Sequence, residues 1–148
     1  MSETSWGQAL MAGATGAVAL NVVHQTAQAF TADAPRMDVV ARRAIAGGME
    51  ASGLEPPDEP RLQRWALGGD LVANSIYYSV IACGKPAGVW RRGLTLGVAA
   101  GVCALMLPQR MGLGAPPRSH SLANQFMTIA WYTIGGLVTA AAATRLRT

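Results

Sequence analysis

Charge is scarce in this chain. Only 14% of its 148 residues are Asp, Glu, Lys or Arg, against about 25% in soluble domains. Half of the chain is apolar and Gly and Ala recur throughout. That balance excludes an ordinary charged-surface domain and fits a polytopic membrane protein, because the apolar stretches are too long for amphipathic helices. Lysine is nearly missing, with Lys85 the single example. The basic excess is therefore arginine, placed at the ends of apolar stretches: Arg61 and Arg64, Arg91 and Arg92, Arg145 and Arg147. Such arginines snorkel to headgroups. A nucleic-acid reader would gather them on one face, so the charge indicates a bilayer as partner and no nucleic acid. Arginine in place of lysine, with abundant Ala and Gly, points to a GC-rich bacterial genome and hence to the inner membrane.

Cysteine is limited to Cys83 and Cys103. They form no Cys-x-x-Cys pair and no disulfide framework, and both read as small buried hydrophobes. Hydrolase and nucleotide motifs are missing too: there is no Gly-x-Ser-x-Gly, no His-Glu-x-x-His and no phosphate-binding glycine loop. The glycines lie inside apolar segments, where packing explains them.

What is present is an all-α pattern of four spans, at about 6–30, 62–83, 87–107 and 121–143, in one domain covering 1–148. Ser5-Trp-Gly-Gln8 forms a capping box that opens the first span. Ala27-Gln28-Ala29 has the shape of a signal-peptide cleavage site, but the leading Met-Ser-Glu-Thr-Ser lacks the positive charge of such a segment, so a retained span is expected. Asp33-Ala-Pro35 ends it. Between about 36 and 50, Met37, Val40, Ala41, Ala44, Ile45, Gly48 and Met49 recur at helical spacing with Asp38, Arg42, Arg43 and Glu50 opposite. This predicts an amphipathic helix lying in the interface or packed on the bundle. A Pro-rich acidic loop follows. Gly84-Lys85-Pro86 is a tight turn that makes spans two and three an antiparallel hairpin. Gly93, Gly97 and Gly101 form a small-residue face for close helix packing, within the chain or between copies. Pro108 to Ser119 reads as a loop. With four spans both termini share a side with Lys85. The unopposed Lys85, Arg91 and Arg92 place that side in the cytoplasm.

Asp70 is the one acid inside the apolar stretches. A carboxylate at that depth is costly and marks a functional site by default. At about 1.5 Å per residue, His24 lies about 9 Å from the loop end of span one with Asn21 a turn deeper. Asp70 lies about 12 Å below the start of span two with Asn74 a turn deeper. Asn124 and Gln125 open span four. The other half of the membrane carries Ser79, Thr95 and Thr139 but no ionisable group. Stripes Asn21–His24–Gln28, Asp70–Asn74–Tyr77 and Asn124–Thr128–Trp131 each share a helix face and should turn inward. They predict a polar pocket open to the loops. In it Asp70 is the charged centre, His24 its proton-sharing partner, and Asn21, Asn74 and Asn124 the lining. Tyr77 and Trp131 are placed to stack on a ligand.

The function so indicated is binding of a small molecule, ion or proton within the membrane, in a transporter- or channel-like protein that forms an oligomer. Two other classes fit less of the pattern. One is an accessory subunit of a larger membrane complex. The other is an enzyme acting on a lipid or quinone with Asp70 and His24 as acid and base. Haem or a metal held by His24 and His120, the only histidines, is a narrower alternative with no ligand spacing behind it.

Overall fold

A computed structural model describes residues 5–31, 34–117 and 119–147. These form five α-helices: α1 (Trp6–Phe30), α2 (Met37–Ala51), α3 (Glu59–Ala82), α4 (Val89–Arg110) and α5 (Leu122–Leu146). One turn of 3₁₀ helix, Pro86–Gly88, precedes α4. Asp33, expected to end the first helix, and the leading segment before Ser5 lie outside the described residues.

Local chemistry sets the helix ends. Ser5 accepts from the Gln8 amide at 3.2 Å and Gln8 Oε1 accepts from the Ser5 amide at 3.0 Å, a complete capping box. Gln8 Nε2 also donates to the Leu146 carbonyl at 2.7 Å, which ties the start of α1 to the end of α5. Ser121 caps α5 through the Asn124 amide. At the end of α2, Gly53 is left-handed (φ 74°), and the amides of Gly53 and Leu54 donate to Glu50 and Met49. That pair of reversed bonds satisfies two open carbonyls.

The same motif corrects the expected loop at 108. Helix α4 continues through Pro108 to Arg110. Gly112 (φ 76°) and Leu113 donate back to Gln109 and Pro108. A proline in the last turn forfeits one backbone bond, and the cap that follows offsets the loss.

Two arginines close the C-terminus of α3. Arg92 donates to the carbonyls of Ile81 and Lys85, and Arg147 to those of Ala82 and Gly84. Cations suit that end of a helix dipole.

The main interfaces are α4 with α5, α1 with α5 and α1 with α3, while α2 rests on α3. The tight turn at Gly84 (φ 89°) does reverse the chain, but α3 and α4 touch sparingly. Helix α4 packs on α5 because only there do small residues meet. A Cβ added at Gly93, Gly97 or Gly101 would lie 2.7, 2.7 or 2.6 Å from backbone atoms of Gly136, Thr133 or Ile129. The glycine face is thus filled by the chain's own α5, which corrects its expected use between copies. Gly13 against Ser75 and Gly16 against Gly135 bring α1 equally close to α3 and α5. The core is correspondingly small: Ala9, Ala12, Ala17, Ala82, Ala140 and Ala143 are all buried, and Tyr78 and Ile81 are the largest side chains fully shut from solvent. Cys103 is exposed on α4 and Cys83 half-buried, so the expectation of two buried thiols fails. Cys103 lies on the face of α4 turned away from α5.

Two helices, Pro86–Arg110 and Leu122–Leu146, are long and apolar enough to cross a membrane. Helices α1 and α3 match them in length, at 25 and 24 residues. However, α1 carries Asn21, His24, Gln25 and Gln28, and α3 carries Glu59, Arg61, Gln63, Arg64, Asp70 and Asn74. These residues fall in the second half of α1 and, Asn74 apart, the first half of α3, toward one end of the bundle.

Candidate functional site

Part of this polar set lines a cleft between α1 and α3, roofed by the first turns of α2. Its walls include Asn21, His24, Gln63 and Asp70, with Met37 and Asp38 from α2. The free volume is about 20 Å³, room for about one water or an ion of similar size.

Asp70 is the centre. Asn21 Nδ2 donates to Oδ2 across the helix interface at 2.9 Å, and Asn74 Nδ2 donates to Oδ1 from one turn along at 2.9 Å. Each amide spends its other N–H on a carbonyl four residues back, Ala17 for Asn21 and Asp70 itself for Asn74. Both amides are therefore fixed with nitrogen toward the carboxylate. Asp70 has no ion pair among the described residues. A carboxylate has about four acceptor sites. Two are filled by amides, which leaves capacity for a proton, a water or a cation.

His24 does not pair with Asp70. It sits one turn nearer the loop end of α1, where it meets the returning chain. Nε2 lies 2.9 Å from the Pro35 carbonyl, which accepts from it in the tautomer that carries the proton there. Gln28 Nε2, 2.8 Å from the same ring nitrogen, donates to the Pro35 carbonyl at 3.2 Å and to Asp38 Oδ1 at 3.4 Å. The ring of Trp131 packs on His24 with centroids 5.2 Å apart. Trp131 therefore holds a histidine in place of stacking on a ligand.

Asp38, assigned to the charged outer face of an amphipathic helix on sequence grounds, turns into the cleft. Arg36 grips it with two bonds of 2.9 and 2.8 Å, and Arg42 lies 3.6 Å away. Burial pushes its carboxyl up, but the hydrogen bonds and charge of Arg36, with Arg42 and Gln28, outweigh that and hold it below the usual carboxylate range. Arg42 also reaches Glu59 at 2.6 Å, stapling α2 to α3. The cleft thus holds two carboxylates, one compensated by guanidinium groups and one held by amides alone.

Other expected members lie elsewhere. Tyr77 donates to the Leu96 carbonyl at 2.9 Å and braces α3 against α4. Asn124 is buried at the start of α5 but does not line the cleft. Thr128 turns its hydroxyl back to the Asn124 carbonyl. His120 lies on a separate groove between α4 and α5, so the two histidines do not face one ligand. Among the described residues no group of three or more His, Cys, Asp or Glu could hold a metal ion. Asp38 and Gln63 were missed as cleft residues. The one signal for Asp38 is its place just after Pro35, where the chain must fold back over α1.

Compared with protein families, curated proteins and solved structures, the chain has no match.

Proposed function

We propose that this chain is a small integral membrane protein in which α1, α3, α4 and α5 all span the bilayer. Its Asp70 cleft binds a proton or a small monovalent cation, in a transporter- or channel-like role. The observation that carries the reading is the Asp70 carboxylate itself: held by Asn21 and Asn74, without an ion pair among the described residues, on a cleft of water size. Asp38 is compensated by Arg36 and Arg42. One uncompensated negative charge then matches one proton or one monovalent cation. A volume of about 20 Å³ favours such an occupant over an organic molecule.

The distribution of side chains supports the membrane setting. Small residues fill the core, while Met11, Val18 and Val22 of α1, Val72, Ile76 and Val80 of α3, and Leu94 and Met106 of α4 are exposed. In water such contiguous apolar faces are a liability; in lipid they are solvated, and helices associate through small residues. Trp6 and Trp90 are exposed at one end of the bundle and Trp65 and Phe126 at the other, where interfacial aromatics belong. At about 1.5 Å per residue all four helices exceed a hydrocarbon core of about 30 Å. We place the end bearing Lys85, Arg91, Arg92, Arg145 and Arg147 in the cytoplasm of a bacterial cell.

Infrared difference spectroscopy of the chain in lipid tests the binding centre. Lowering the pH or adding sodium should change a carboxyl band that Asp70→Asn removes. Identical difference spectra from the two proteins would refute it.

A further inference from the structure

A second concavity lies between the last turns of α4 and the start of α5, with a free volume of about 430 Å³. Its floor is apolar, with Leu105, Met106 and Ile129, and its rim polar, with Arg110, His120 and Gln125. We propose that it holds the phosphate headgroup and first acyl segment of an anionic membrane phospholipid. The proposal rests on the membrane-spanning reading given above.

Polarity runs along the groove as it does along a lipid. From Val102 to Arg110 the lining passes from apolar to cationic over about 12 Å. The polar end falls where α4 stops and α5 begins, at headgroup depth for helices of this length. The rim is built in advance. Arg43 donates to the carbonyls of Leu113 and Ala115, the Ser119 amide donates to Pro116, and Gln125 Nε2 donates to Ser119. These bonds hold the segment that carries His120. The rim charge is uncompensated. Arg36, Arg42 and Arg61, at the same end, have carboxylate partners. Arg110 and His120 make no hydrogen bond or ion pair with any described residue. A guanidinium with free donors and an imidazole lining one groove suit a phosphate, and the apolar floor suits a chain attached to that phosphate.

The test uses the full chain purified in neutral detergent and native mass spectrometry of retained lipid. Phosphatidylglycerol should be retained about tenfold more tightly than phosphatidylcholine, whose quaternary ammonium opposes the positive rim while its phosphate makes the same contact. The double variant Arg110→Gln/His120→Gln should bring the two lipids level while its circular dichroism stays that of the parent. Arg91→Gln, at the other end of the bundle, should keep the preference. Equal retention of both lipids by the parent, or an unchanged preference in the double variant, overturns the proposal. So does glycerol phosphate binding as tightly as the lipid. Flotation with phosphatidylcholine vesicles separates the two levels of the reading. A chain that fails to float refutes the membrane assignment, whereas one that floats without lipid preference refutes this site alone.

Discussion

Asp38 and Asp70 face the same small cleft with opposite kinds of support, and they should answer pH differently. Asp38 titrates below its usual range in the folded chain, so the folded state binds its proton less readily than the unfolded state does. The stabilisation is complete above the unfolded value, about pH 4, and is lost as pH falls through the lower folded value. Asp38→Asn should therefore cost about 1–2 kcal/mol at neutral pH. That difference from the parent should vanish on acidification, as followed by unfolding in detergent at a series of pH values. His24 serves the fold: His24→Ala removes the contacts with Pro35 and Trp131. It should loosen the α1–α2 connection by about 1 kcal/mol, read by protease sensitivity there, and leave Asp70 able to bind. Helical rise alone was enough to place Asn21 and Asp70 at one depth. It could not choose between Asn21 and His24 as the partner, because that choice depends on helix rotation and on where Pro35 returns.

Helix contacts follow side-chain size more than chain order. The Gly93–Gly97–Gly101 stripe was visible in the sequence, but its occupant was not. The Gly84 turn suggested α3, whereas α5 offers Gly136 and Thr133 at the right heights. Gly97→Ala would press a methyl to 2.7 Å from the Thr133 Cα, and overpacking of that kind costs about 1–3 kcal/mol. Gly68→Ala meets nothing within 4 Å on α3 and should stabilise by up to about 1 kcal/mol through helix propensity. Unfolding of the two variants in the same detergent should move in opposite directions. The amphipathic period of α2 was equally legible, and its position was not. The contacts that join it to its neighbours, Arg42 to Glu59 over 17 residues of chain and Asp38 to Gln28, leave no periodic trace.

At the scale of the whole chain, several of the polar residues that make α1 and α3 less apolar than α4 and α5, namely Asn21, His24, Gln25, Gln63 and Asp70, also line the cleft. On the proposed reading, the lower apolarity of those two helices is what a site within the membrane requires. Cys103 gives a native probe of that setting. It is exposed on the isolated chain, yet buried in lipid it should resist a membrane-impermeant maleimide, whereas a cysteine placed at Glu55 should react. Ion movement bears most directly on the role of Asp70. The chain reconstituted in proteoliposomes with a trapped pH or sodium indicator, under an imposed gradient, should dissipate that gradient. Asp70→Asn should abolish the flux, and the exposed loop variant Glu55→Gln should retain it. A flux unchanged in Asp70→Asn would contradict the assignment of Asp70 as the ion-binding centre.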